Sequence, residues 1–395
     1  MLGVAEALRL PPGCAFAGHC GGVAGWKATQ STNDSEATVK RPTRALWVRQ
    51  ARIARYRCEE RARRDGKRQI AAENRYVAPG PVLVAPHKFD AIRGSGIEVV
   101  KFLRAIATAV LVNRAPVKLD FRFTQTFYPA GTILLFAEVD RVVAMSDLPK
   151  PITIIDPRLR RPREVLKQIG IHEMTGDRCD VVPEREDVVY WKATKGVDQS
   201  GERLAMLEVV AKKVNQAHTR QLELSGAWRG VSEAVANSVE HAYRFPRPDG
   251  FAGLPKTRWW MFTQLRDSVF TMAVCDLGCG YRATINQTVP EKFIAEVAQA
   301  FGAGNRDAIA IHTAMEYGRS GTRQSERGRG SRDAFSVLQT HGAGELMILS
   351  NTGWMQYTFL GGKEYTKNQG ELGIDIRGTI VWWKLPLKEA DHDQG

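Results

Sequence analysis

A chain of 395 residues with 43% hydrophobic and 25% charged content has the make-up of a soluble globular protein, with room for two domains. No run of about 18 apolar residues occurs, so no membrane-spanning helix is expected, and the opening stretch lacks the basic start and apolar core of a signal peptide. A cytoplasmic location is the default expectation. The net charge of +13 is mostly local: between Lys40 and Arg75, thirteen Lys/Arg stand against four acidic residues.

Residues 1–39 are rich in Gly, Ala, Ser and Thr and read as disordered, or as the product of a start placed too far upstream. Residues 40–76 read as a basic helical arm. Such an arm binds a phosphate backbone or is simply solvated, and no aromatic or base-reading pattern favours nucleic acid. From Tyr76 strands and helices alternate: a strand at 81–86, a helix at 98–113, a strand at 117–121, a helix opening at Pro129, a strand at 152–156 and a helix at 163–169. Residues 172–200 are polar, a linker or a few edge strands, and His172 is expected at the surface. The six cysteines (Cys14, Cys20, Cys58, Cys179, Cys275, Cys279) lack paired metal-ligand spacing and read as reduced thiols.

An amphipathic helix at 202–219 leads to the stretch 231–243, read as a helix that places Glu233, Asn237 and His241 on one polar stripe. A solvated face accounts for that stripe. So does a nucleotide site, because a carboxylate can deprotonate a nucleophile while an amide oxygen one turn on is a hard ligand for Mg²⁺. Strands at 259–265 and 269–275 follow, joined at Arg266-Asp-Ser268. The second ends in Asp276-Leu-Gly278-Cys-Gly280, a carboxylate beside a turn without side chains. Later, Arg327-Gly328-Arg329-Gly330 opens a helix, whose free N–H groups suit an anion such as a triphosphate. Strands at 345–350, 354–359 and 378–383 complete the chain.

Glu-x3-Asn on a helix, Asp-x-Gly-x-Gly after a strand and Gly-x-Gly at a later helix start, in that order, resemble the Bergerat-fold ATPases of gyrase, histidine kinases and MutL. The stretch from Ser232 to Tyr243 is most similar to the anti-sigma-factor serine kinases. The resemblance spans about Glu202 to Leu387 and implies ATP and Mg²⁺ as cofactors. It implies Glu233 as general base, Asn237 as Mg²⁺ ligand and Asp276 as the adenine-recognising carboxylate. Gly278 and Gly280 would form the adenine-side loop. Gly328 and Gly330 would hinge a lid over about Ile285–Arg327, with Ser320 and Thr322 near the phosphates. His241 is left open between packing and phosphate contact.

Upstream, Lys118-Leu-Asp-Phe121, Ala130-Gly131 and Val165–Gly170 resemble STAS-like domains of anti-sigma-factor antagonists. The family's phosphorylated hydroxyl position is Ala130 here, which implies a docking or dimerisation module without that switch. The expected organisation is a basic arm (1–76), a STAS-like α/β domain (77–175), a linker (176–201) and an ATP-binding domain (202–395). The fold class is α/β, with the ATP-binding part a two-layer α/β sandwich. The expected function is Mg²⁺-dependent ATP binding with hydrolysis or phosphoryl transfer. A protein serine/threonine kinase, a non-hydrolysing ATP sensor and a nucleic-acid-binding arm are the alternatives.

Overall fold

The computed structural model describes residues 80–92, 94, 96–199, 205–218, 220–222, 224, 226–247, 257–301, 304–319 and 330–389. All belong to the second of two units, Ile70–Gly395. The basic arm and Ser320, Thr322 and Gly328 lie outside the described residues. Among those described, no helix is long and apolar enough to cross a membrane.

The first part of the unit is a parallel α/β segment. Strands β1 (Val82–Val84), β3 (Val117–Asp120) and β5 (Ile152–Ile155) form a three-stranded parallel sheet in the order β1-β3-β5. Strands β2 (Lys88–Phe89) and β4 (Thr126–Phe127) pair alongside as a short parallel ladder. The crossovers are α1 (Gly96–Ala107), prolonged by a π-helical turn at Thr108–Val112, and α2 (Pro129–Met145); α3 (Arg160–Gln168), α4 (Ile171–Thr175) and α5 (Glu186–Val189) follow β5. Proline at the first position of α2 fits because that N–H has no intrahelical partner. Gly131 is required one turn in: a β-carbon there would stand 2.3 Å from the Phe89 carbonyl oxygen.

The second part is a seven-stranded antiparallel sheet. It contains β6 (Lys192–Gly196), β8 (Trp259–Arg266), β9 (Val269–Asp276), β10 (Ala343–Ser350), β11 (Gly353–Leu360), β12 (Lys363–Glu371) and β13 (Thr379–Pro386). Their order is β12-β11-β10-β13-β9-β8-β6. The β8–β9 hairpin turns on Asp267 and Ser268, both with positive φ, as a two-residue turn matched to strand twist requires. Strand β6 falls within the expected linker and pairs with β8 as an edge strand, while the short β7 (Arg220–Gln221) pairs with β14 (Lys388–Glu389) outside this sheet.

Side chains alternate across this sheet into two cores. Met261, Met272, Val274, Ile348, Val381 and Trp383 face one side, where α6 (Met206–Ala217), α7 (Ala227–Glu240), α10 (Arg306–Arg319) and α11 (Gly330–His341) supply the covering residues. Trp260, Phe262, Ala273, Cys275, Leu349, Ile380 and Trp382 face the other, in one cluster with Ile133, Leu134 and Ala137 of α2 and Leu119 of β3. Within the expected ATP-binding part, α6, α7, α10 and α11 lie on one face of the sheet, and α2 of the preceding segment covers the other. The reason is visible in the strands themselves, since β8 and β9 are buried almost end to end and expose neither face.

Helix α2 is buried nearly all round, charged residues included. Asp140 accepts hydrogen bonds from Trp260 Nε1 (3.0 Å) and Arg258 Nη1 (2.6 Å) and pairs with Lys195 of β6. Glu138 pairs with Arg141 on its own helix and with Arg247 (3.5 Å) from the loop after α7. Burial pushes the Glu138 carboxyl up, but the Arg247 and Arg141 guanidiniums outweigh it and hold it below the usual range. Residues 77–175 and 202–395 therefore share an apolar layer and a buried ionic seam.

Candidate functional site

Helix α7 rests on the sheet through Val231, Ala234, Val235 and Ser238. Glycine at 230 lets it approach α11 closely, since a β-carbon there would meet Val337 at 2.4 Å and the Asp333 carbonyl oxygen at 3.1 Å. On the flank sit Glu233 and Asn237, both half-buried, with Asn237 Nδ2 donating to Glu233 Oε1 at 3.3 Å. Burial first, then the charges of Asp333 and Glu240, hold the Glu233 carboxyl above its ordinary range, while the Asn237 bond opposes them. Asp333 lies in the first turn of α11, so the helix start that begins at Gly330 stands within electrostatic reach of Glu233.

Asp276 ends β9 and is 5% exposed. Its Oδ1 accepts the Gly278 backbone N–H at 2.9 Å, and the Ser238 hydroxyl of α7 approaches its Oδ2 at 3.5 Å. Burial raises its pKa to about 6 against the opposing hydrogen bonds of Gly278, Thr379 and Ser238. Tyr281 opens the following helix, α8 (Tyr281–Thr288). Burial and the carboxylates of Asp276 and Glu233 push its phenol well up, which places Tyr281 within electrostatic reach of both. Tyr243 braces the turn from the other side, accepting Leu277 N–H at 3.3 Å and donating to the Arg258 carbonyl.

The glycines of the turn have a cause within the protein. A β-carbon at Gly278 would stand 2.1 Å from the Ala242 carbonyl oxygen, just past the end of α7. Gly280 has φ +76°, and a β-carbon on it would meet Asn351 Nδ2 at 2.4 Å. Asn351 sits in the β10–β11 turn and donates to the Cys279 carbonyl at 3.2 Å. The turn is thus wedged between a helix end and a hairpin, and its glycines answer that packing first.

Among the sequence-predicted residues, Glu233 and Asn237 share one flank of α7, Ser238 of the same helix links it to Asp276 and the turn with Gly278 and Gly280, and the helix opening at Gly330 is tied to Glu233 through Asp333. His241 follows the last turn of α7, its backbone N–H bonded to the Asn237 carbonyl at 2.9 Å. The expected lid region carries α8, α9 (Glu291–Phe301) and α10 before it passes outside the described residues. Sequence reading missed Ser238, Tyr243, Tyr281 and Asp333, each of which bears on a carboxylate of the site. It also missed a cleft of about 350 Å³ beside Leu277 and Gly278, lined by Arg141, Arg244 and Arg247, with Glu233 and Asn237 not among its lining residues. The basic run Arg244-Phe-Pro-Arg247 directly after the helix was the available signal.

Asn237, Glu233 and the nearby Asp333 offer oxygen donors of the hard kind that Mg²⁺ takes, and their crowded negative charge favours a cation. A buried carboxylate at a strand end fits an exocyclic amine. No protein-family model matches the chain, and neither a curated protein nor a solved structure does.

Proposed function

We propose that this chain binds ATP with Mg²⁺ and either hydrolyses it or transfers its γ-phosphoryl group, in the manner of the Bergerat-fold ATPases that its motifs resemble. The observation that carries the reading is the Ser238–Asp276 approach: it brings the strand-end carboxylate to the very helix that presents Glu233 and Asn237. In this reading Asp276 selects the base, Asn237 holds the metal and Glu233 takes the proton of the attacking hydroxyl. A carboxyl held above its usual range by burial and neighbouring charge suits the last role, because a general base works best when its pKa nears the working pH. When bound, Mg²⁺ would neutralise charge on the phosphates. Residues 77–175 would serve docking or self-association through faces other than α2, which the sheet covers.

The test is ATP binding by calorimetry with and without Mg²⁺, for the wild type and Asp276→Asn. Mg²⁺-dependent binding that weakens in the variant supports the reading; equal affinity in both proteins sinks it. With γ-labelled ATP, label released as phosphate identifies hydrolysis, and label on protein identifies a kinase. If binding occurs and Glu233→Ala changes neither turnover nor biological output, the protein is a nucleotide sensor instead.

A further inference from the structure

Away from this region, the carboxyl end of the parallel strand β5 collects three unlike side chains. Asp156 follows the last residue of β5, His172 lies in a short helix at Ile171–Thr175, and Cys179 lies on the loop beyond it. One donor atom from each lies within 4.8 Å of the other two. His172 Nε2 and Asp156 Oδ1 are 2.8 Å apart. His172 is 1% exposed, and its Nδ1 is buried with no hydrogen-bond partner. Neither neutral tautomer satisfies both ring nitrogens from within the protein: one leaves a buried donor unpaired, the other a buried lone pair.

The backbone around these groups is fixed for its own reasons. Glycines in the left-handed region, Gly170 (φ +84°) and Gly176 (φ +70°), bracket the short helix and set its direction. Asp177 then pins the loop: its Oδ2 accepts the Ile154 N–H of β5 at 2.7 Å and the Thr175 hydroxyl at 2.9 Å. Its Oδ1 pairs with Lys150 at 2.7 Å. Cys179 is therefore held two residues past an anchored position, beside an anchored histidine.

We propose that Asp156, His172 and Cys179 form a binding site for a divalent transition-metal cation of the zinc class. Thiolate, imidazole and carboxylate are the donors such an ion takes, with bonds of about 2.0–2.3 Å, so its ligand atoms stand roughly 3.3–3.7 Å apart. Asp156 and His172 stand 2.8 Å apart and no pair of the three donor atoms exceeds 4.8 Å, a span that brackets that spacing. A thiolate and a carboxylate together balance a charge of two, so the occupied site is neutral. Three protein ligands would leave a fourth tetrahedral position for water, and the 31% exposure of the Asp156 side chain gives solvent access to the group. The ion would cross-link β5 to the loop that leads toward β6.

Full-length protein, stripped with a chelator and kept reduced, is titrated with Co²⁺ and then Zn²⁺. The expected result is thiolate-to-cobalt absorption from one equivalent, bleached by Zn²⁺. Cys179→Ser should lose that equivalent while its far-ultraviolet circular dichroism stays unchanged. Asp156→Asn should bind Co²⁺ about 10- to 100-fold more weakly. Independently of any variant, Zn²⁺ should slow alkylation of Cys179 in the wild type, read by mass spectrometry of its peptide. Full thiolate absorption in folded Cys179→Ser overturns the site, as does an alkylation rate indifferent to Zn²⁺.

Discussion

Asp276 is where charge, burial and proposed binding meet. A carboxyl with a folded pKa of about 6 and an unfolded value of 3.8 makes the folded state bind protons more tightly than the unfolded chain. Its contribution to stability is therefore fully present below about pH 4, declines as pH rises toward 6, and is lost above, by about 3 kcal/mol in all. Asp276→Asn keeps an acceptor for Gly278 N–H and removes the buried charge, so at pH 8 it should raise the melting temperature. The same variant should weaken ATP binding about 10- to 100-fold, the loss of one hydrogen bond to a charged group. Wild-type affinity should fall as pH drops below 6, and that dependence should vanish in the variant; calorimetry across pH 5–8 checks both. Glu233→Gln should leave binding in place and reduce turnover by about 10²- to 10⁴-fold, measured as phosphate release. The shared flank of Glu233 and Asn237 was legible from helical spacing, and the place of Asp276 at a strand end from the glycines after it; the roles proposed for them came from the family resemblance. Ser238, Tyr281 and Asp333 were not, because their relation to those carboxylates exists only once α7, β9 and α11 pack together. The Asp156–His172–Cys179 group was invisible for the same reason, and His172, expected at the surface, is buried.

At the scale of elements, long apolar strands and amphipathic helices announced themselves. Strands β8, β9, β10 and β13 carry hydrophobic runs that no helix period explains, and β11 alternates buried and partly exposed residues as a strand does. Strand β12, Lys363–Glu371, did not: it is a polar, exposed edge strand held by backbone pairing to β11. Strand β6 is likewise polar and short. Edge strands of this kind bear lysines that discourage further strand addition, so their sequences look like loops. Helix α2 carries the opposite lesson, since its buried Glu138, Asp140 and Arg141 look like a solvated face until the partners Lys195, Arg247 and Arg258 arrive from far along the chain. Asp140→Ala removes the acceptor of the buried Trp260 N–H and the carboxylate partner of Arg258 and should destabilise the fold by about 3–5 kcal/mol. Urea denaturation followed by tryptophan fluorescence measures the loss.

For the whole molecule, the shared sheet decides what can fold alone. Residues 202–395 expressed without the preceding segment would lack β6 and leave Trp260, Phe262 and Trp382 facing water. That fragment should be insoluble or bind a hydrophobic dye strongly, whereas residues 77–395 should unfold in one urea transition; a soluble, cooperatively melting 202–395 fragment would refute the shared core. The sequence divided the unit at a polar stretch because composition changes there. Packing does not, because the second face of β8 and β9 is apolar as well and is met by α2 from far earlier in the chain.

Helix α2 also has a history on the ribosome. Its Asp140 waits for Trp260, which lies 120 residues later in the chain. At about 5–20 residues per second, synthesis leaves the helix without its sheet for on the order of ten seconds. During that interval Asp140 lacks its partners Lys195, Arg258 and Trp260, and the apolar side of the helix that packs on the sheet has nothing over it, so the nascent chain is expected to need protection until the β8–β9 hairpin emerges.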